Sequence, residues 1–558
     1  MTKEAPPEAV TWSTRHTVVF GATVAVLALV PWTVRHWPSQ DGPNHLAVAY
    51  VLMHHGDPGS PFPQYLDVET GFRPSTAVYG ILSVLGRAMS LETAEKVLVS
   101  LAIGLLPASL LLLVRRALPR RSVNVLLALP FALGWAIAMG FLSFLLGMGL
   151  GIVTLALGWD PPREGAEARS LGVRHGLAAV TYFLCVWFHP VAALITGLCL
   201  LLLVGRSLQR PAEWARILAV VAPGALFLVG AYATAHAAPP SSAVPPETHF
   251  ADPLTLIGGL FEYHLGYTPL ELGPRLVALV LLVRFAYLGI RRYSPFGPTI
   301  EGAVARVVLC LVLLYCVTPA ALQGWFYSST RFLLFASLLL PALAEIPPRI
   351  GRRLLVLAPA LTAAVVAVQW PNNRSTSQEM QDILDVGASI PRGSRLVPMD
   401  FAARLLGPQP LAQAWAELVV ERDAMAPQLF AAGKPRLGGE RFRTLTFHPG
   451  LLDEANGSLP WSTYETWYDV VRKCSSGPLL AWLAFGASGD CAALLAERKA
   501  TLDAVLDRYD YVLMLDPPDY GRNLIAARVE LLDRRGSAWM YRVLPSHQGQ
   551  GRSSSLSH

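Results

Sequence analysis

Twelve apolar runs, each long enough to be read as a membrane segment, fill most of the first two thirds of this chain. They lie near residues 17–34, 75–90, 97–114, 123–138, 141–159, 174–189, 190–205, 217–235, 274–290, 305–320, 332–346 and 353–370. The hydrocarbon core of a bilayer takes about 20 apolar residues of helix, and a water-soluble fold would have to hide every one of these faces. Hydrophobic residues make up 53% of the chain and charged residues 15%, against about 25% charge in a soluble domain. Residues 1–370 are therefore read as a polytopic membrane region. The first run lacks a small-x-small cleavage site and is followed by Trp32 and Trp37, so it reads as a retained anchor.

Charge orders the runs. Arginine clusters at Arg115, Arg116, Arg120 and Arg121, at Arg163, Arg169 and Arg174, and at Arg206, Arg210 and Arg216 mark cytoplasmic connections. Further clusters at Arg291, Arg292 and Arg306, and at Arg349, Arg352 and Arg353, do the same. The net charge of +6 is then a topology signal and not a nucleic-acid footprint. With Lys3 and Arg15 inside, only one of the runs 75–90 and 97–114 can cross. The run 75–90 carries Ser75, Thr76, Ser83, Arg87 and Ser90 and is expected to lie on the outer surface as an amphipathic helix. The expectation is a mainly α, multi-pass protein of about eleven transmembrane helices, with a cytoplasmic N-terminus. Its outer segments are 35–96, 236–273 and 321–331. The arginine- and alanine-rich composition suggests a bacterial inner (cytoplasmic) membrane.

From residue 371 the composition becomes that of a soluble domain. Helices are predicted over 376–388, 411–432 and 492–507, and strands over 394–399, 509–515 and 538–544. This alternation implies a C-terminal extracytoplasmic α/β domain over 371–545, followed by a disordered tail, 546–558. Cys474 and Cys491 lie in this polar part and could pair in an oxidising compartment. Cys185, Cys199, Cys310 and Cys316 lie in apolar runs.

Few polar residues stand out against this background. Asp41 lies just beyond the first span, in Gln-Asp-Gly-Pro-Asn-His-Leu. A carboxylate there could take the proton of an attacking hydroxyl. Asn44 and His45, three and four residues on, would share a helical face with it and could orient a substrate or help hold a cation. The plainer reading is a helix cap, since Asp-x-Pro suits an N-terminus. Arg331 opens the run at 332–346, where a guanidinium could bind phosphate bidentately or simply snorkel. His189 sits at an outer turn. Glu262 and His264 neighbour each other in the second large outer segment, as an acid/base or metal pair. Trp461, Tyr464, Trp467 and Tyr468 form an aromatic stripe suited to sugar stacking or to a core face. No Walker loop, Cys-x-x-Cys, His-Glu-x-x-His or Gly-x-Ser-x-Gly pattern occurs.

This layout resembles the GT-C-fold glycosyltransferases, membrane enzymes that use polyprenyl-phosphate sugars, such as protein O-mannosyltransferases and lipid A aminoarabinose transferase. In that family a first span leads to an outer loop with an acidic motif, and Asp41-Gly42-Pro43-Asn44-His45 stands in its place. The run 75–90 is similar to a surface helix that follows, and Arg331-Phe332-Leu333-Leu334-Phe335, with Pro341 beyond, is similar to a later span that opens Arg-Phe/Tyr. Many relatives carry two neighbouring acids where this chain has Asp41 and Gly42; Asp57, Asp67 or Glu69 could supply the second. The resemblance implies inverting transfer of a sugar from a polyprenyl-phosphate-linked donor to a glycan, lipid or protein acceptor at the outer face of the bilayer. Asp41 would be the general base and Arg331 would sit on the phosphate, with Arg73 or His189 assisting and a divalent cation left open as cofactor. A surface-polysaccharide polymerase or ligase, and a lipid or glycan transporter or flippase, are the alternatives.

Overall fold

The computed structural model describes residues 11–69, 71–159, 172–205, 211–234, 248–265, 269–293, 295, 297, 299–322, 325–401, 408–427, 429, 444–448, 474 and 491–545. The aromatic stripe at 461–468, the tail 546–558 and the Glu262 side chain lie outside the described residues.

The helical part begins with α1 (Thr14–Leu29), α2 (Gly42–His54), α3 (Ala77–Leu85) and α4 (Leu91–Ala117). After a 3-10 segment (Pro119–Phe131) come α5 (Trp135–Ala138), α6 (Leu142–Gly158), α7 (Val173–Phe188), α8 (Pro190–Val204) and α9 (Pro211–Thr234). Then follow α10 (Pro253–Leu265), α11 (Pro269–Arg292), α12 (Ile300–Val317), α13 (Ser328–Leu343) and α14 (Pro348–Gly387). Among the described residues seven segments are long and apolar enough to cross a membrane, and four shorter apolar helices accompany them. Each of these coincides with one of the runs expected to cross, and the run at 75–90 is absent from the set. It folds instead into the nine-residue α3, which buries Ala77, Val78 and Leu82 and packs on α2 and α4.

One expected span takes a different form. Over 123–138 the chain is mostly 3-10 helix, with Pro130 inside it, and only its end is α5. A strained backbone is tolerated at membrane depth where protein surrounds it. Here the loose Leu133 carbonyl accepts bonds from Arg275 (2.6 Å) and Gln369 (3.2 Å). The Arg275 and Glu271 side chains, both fully buried, pair at 3.5 Å on α11.

Two of the cationic connections, those of Arg121 and Arg292, meet at one end of α13. Arg121 donates to the Leu343 carbonyl (2.6 Å) and to Glu345 (3.2 Å), Asn124 donates to Ala344 (2.6 Å), and Arg292 pairs with Glu345 at 2.8 Å. These donors satisfy the C-terminal carbonyls of α13. Arg331 is near its other end, 12 residues before Leu343 or about 18 Å away at 1.5 Å per residue.

The C-terminal part is α/β. Its sheet has the order β5 (Leu396–Asp400), β7 (Tyr511–Leu515), β9 (Ala538–Val543), β8 (Val529–Arg535), with β5 and β7 parallel and the rest antiparallel. The short pairs β1 (Leu66–Val68) with β6 (Leu445–Phe447), and β2 (Thr248–His249) with β3 (Ala321–Leu322) and β4 (Trp325–Phe326), lie outside it. The helix expected over 492–507 is α16 (Cys491–Val505), and α17 (Asp519–Ile525) and β8 were not anticipated. The helix expected over 411–432 is replaced by a 3-10 turn at Ala414–Ala416 and α15 (Glu417–Arg422). The chain leaves that helix through Asp423 at φ 54. Met425 then bonds alongside β5, accepting from Leu396 N at 2.7 Å and donating to Ser394 O at 2.9 Å, so sheet pairing overrides local helix preference. Cys474 and Cys491 form a disulfide.

Two hydrophobic cores result, and α2 is shared between them. Leu46 and Ala49 belong to the core of the membrane bundle. Ala47, Val48 and Val51 belong to the core built around the C-terminal sheet, together with Phe62 and Leu66. The α14 helix runs unbroken through residue 370 and joins the two parts. Asp41, at the head of α2, therefore stands on the seam.

Candidate active site

Residues 40 and 41 are held from two sides. On one side Gln40 N donates to Ala138 O (2.9 Å) and Asp41 N to Met139 O (3.1 Å). Gly140 makes this approach possible. It sits at φ +77, and a Cβ there would meet Gly42 N at 2.9 Å and Asp41 N at 3.0 Å, backbone atoms that cannot rotate away. On the other side, Gln40 Oε1 accepts from Gln409 N (2.9 Å), and Asp41 Oδ1 accepts from Gln413 Nε2 (3.0 Å).

The Asp41 side chain does not cap α2. Asp41 is the N-cap residue, with φ −92 and ψ −13, but it makes no side-chain capping bond. Its carboxylate interacts electrostatically with Arg331. The Arg331 guanidinium lies over the rings of Phe141 (5.4 Å) and Phe144 (5.7 Å), a cation–π setting, and is only 9% exposed. Phe144 also meets His189 edge-on at 5.4 Å, and His189 lies within electrostatic reach of Arg331. Three residues singled out across 290 positions of sequence thus converge.

An apolar cavity of about 90 Å³ opens in the bundle, lined among others by Phe131, Trp135, Tyr263, His264, Ser337 and Leu338. Aromatic rings connect it to the arginine: Trp135 meets Phe141 at 5.4 Å and Tyr327 at 5.1 Å. His264 belongs to this wall. Its Nδ1 donates to Leu260 O (2.8 Å) and its Nε2 meets Ser337 Oγ at 2.7 Å.

The remaining candidates are placed around α2. Asn44 is fully buried. His45 Nδ1 meets the Tyr79 hydroxyl at 3.1 Å. Arg73 pairs with Glu69. Asp57 pairs with His54 at 2.7 Å and Asp67 with His448 at 2.8 Å. Another acid, Glu95, lies against Gly42 and carries no sequence signal of its own. A Cβ on Gly42 would lie 2.2 Å from Glu95 Oε1 and 2.1 Å from Ser39 Oγ. Gly42 is thus the residue that lets the buried Glu95 carboxyl approach the start of α2. Gln413 and Tyr79 were likewise missed. No local pattern marks Gln413, which reaches Asp41 across 372 residues.

The architecture is a bundle of apolar helices with a loop after the first long helix and an α/β region after the last. Its fold matches ArnT from Cupriavidus metallidurans bound to undecaprenyl phosphate, with a TM-score of 0.53 at 12% identity over 96% of this chain and 99% of that one. The apo form of the same protein matches with a TM-score of 0.51 at 11% identity, over 94% and 97% of the two chains. No protein-family model matches the sequence, and no curated protein does.

Proposed function

We propose that this chain is an integral-membrane glycosyltransferase, moving a sugar from a polyprenyl-phosphate-linked donor to an acceptor at the extracytoplasmic face with inversion. The observation that carries the reading is the Asp41 carboxylate, which makes no capping bond to α2 and lies within electrostatic reach of the buried Arg331. A base for an acceptor hydroxyl and a cation for a phosphate are the two charges this chemistry needs.

In the proposed step the acceptor oxygen attacks the anomeric carbon while Asp41 takes its proton. The bond from that carbon to the phosphate oxygen breaks, and the phosphate leaves with the electron pair. Arg331 donates to the departing oxygens, where charge grows in the transition state. Gln413 fixes the rotamer of Asp41, and Phe141 and Phe144 fix that of Arg331. His189 stands where it can assist at the phosphate. An outer-face site has no supply of nucleotide sugars, so a donor arriving in the bilayer suits it. The fold shared with a protein that binds undecaprenyl phosphate and the Cys474–Cys491 disulfide, a bond of oxidising compartments, support the same reading.

The test is transfer of labelled sugar from polyprenyl-phosphate donors by the wild type and by Arg331→Gln. Loss of transfer with retained folding supports the reading, and undiminished transfer by the variant removes Arg331 from it.

A further inference from the structure

A second polar cluster lies under the same loop and takes no part in the chemistry above. His36, five residues before Asp41, is 1% exposed, and Glu417, the first residue of α15, is 2% exposed. Glu92, in the first turn of α4, completes the group. One donor atom from each lies within 4.8 Å of the other two. The His36 Nδ1 to Glu92 Oε1 distance is 3.9 Å, too long for a hydrogen bond.

The orientation of the imidazole is fixed from behind. Its Nε2 meets Gln381 Oε1 at 3.1 Å, and the His36 backbone N–H donates to Ser377 Oγ at 3.0 Å. With Nε2–H donated to the glutamine, Nδ1 presents a lone pair to the two carboxylates. Neither His36 Nδ1 nor Glu417 Oε2 has a hydrogen-bond partner among the described residues, and both atoms are buried. His36 Nδ1 and the two carboxylates thus form a convergent donor set that a cation between them would satisfy. Lys96 borders the group, yet its ammonium donates to Val34 O at 2.7 Å.

We propose that His36, Glu92 and Glu417 bind a divalent cation of the zinc type. An imidazole nitrogen with two carboxylates favours zinc over calcium or magnesium, and Gln381 supplies the outer partner that metal-bound histidines use. A tetrahedral cation with bonds of about 2.0–2.2 Å spaces its ligands about 3.3 Å apart, so a small inward movement of the two flexible glutamates closes the set. Glu92 is 29% exposed and leaves an open position for water and for entry. The cation joins three separate elements: the loop after α1, the head of α4 and α15 of the C-terminal core. It staples the segment 36–41, which carries Asp41, to the segment 409–417, which supplies Gln409 and Gln413. This inference stands independently of the glycosyl-transfer reading.

The experiment uses the purified full-length chain in detergent, stripped with a chelator and titrated with zinc while metal content and thermal unfolding are followed. One tightly bound equivalent that raises Tm is expected. Glu417→Gln, which keeps the shape and removes the charge, and His36→Gln should each lose both the equivalent and the shift. Gln381→Ala should weaken binding by roughly 10–100-fold. Two results would overturn the proposal: no stoichiometric binding by the wild type across zinc, manganese, magnesium and calcium, or zinc binding that survives unchanged in both ligand variants.

Discussion

Replacing Gly140 by alanine isolates the geometry that holds Asp41. Two penalties are added by one methyl group. A non-glycine residue at φ +77 costs about 1–2 kcal/mol. The new Cβ would also stand 2.9 Å from Gly42 N, 3.0 Å from Asp41 N and 3.2 Å from Asp41 Cβ, an overpacking contact of the kind that costs about 1–3 kcal/mol. The expected loss of stability is therefore roughly 2–5 kcal/mol if nothing moves. The cheaper response is for residues 40–42 to retreat, stretching the bonds of Gln40 and Asp41 to Ala138 and Met139. A displacement of about 1 Å at a catalytic group reduces rate by about a hundredfold. The assay pairs thermal unfolding in detergent with sugar transfer, and compares Gly140→Ala with Gly21→Ala, where nothing lies within 4 Å of the new methyl. The control should match the wild type or exceed its stability. A Gly140→Ala protein as stable and as active as the wild type would refute the reasoning.

Other substitutions test other contacts. Gln413→Leu removes the bond to Asp41, an interaction with a charged group worth up to about 1.5–3 kcal/mol of stability; transfer should fall by about tenfold or more and unfolding should shift by no more than that amount, and an unaltered rate would show that Asp41 needs no such partner. Arg275→Met strands the fully buried Glu271 and should destabilise the bundle by about 3–5 kcal/mol, with Glu271→Gln in the same chain recovering part of the loss. Tyr50 donates to Asp423 at 2.8 Å, and burial, then this bond, raises its pKa to about 12. Its contribution to stability should be complete below pH 10, the ordinary tyrosine value, and fade between there and pH 12, because the unfolded chain ionises first. Tyr50→Phe should flatten that alkaline decline, as chemical denaturation across the range would reveal.

The membrane part was legible because lipid leaves the chain little choice. Long apolar runs between arginine clusters can satisfy their backbone only as helices, and the weak run at 75–90 betrayed itself by its polar residues. The 3-10 form of the run at 123–138 has the complementary cause. Enclosed by other helices, that segment could leave the α-helical path because Arg275 and Gln369 were there to bond Leu133, and neither residue is near it in sequence. The C-terminal strands read well where β-branched and aromatic residues clustered, whereas residues 424–426, which look helical, were captured by the edge of the sheet. Asp41, Arg331 and His189 were conspicuous as rare polar groups at the ends of apolar runs. Their supports were not: Gln413, Glu95, Gly140 and the trio of His36, Glu92 and Glu417 acquire meaning only when the two cores close around α2.

The central claim is that Asp41 is the base in glycosyl transfer. It is tested most directly by comparing the wild type with Asp41→Asn, a change that preserves shape and an acceptor for Gln413. Purified proteins, matched for folding by thermal unfolding, would be given a mixed pool of labelled polyprenyl-phosphate sugars and a broad acceptor panel. The account predicts label moved by the wild type and none by the variant. Equal transfer by both would contradict it.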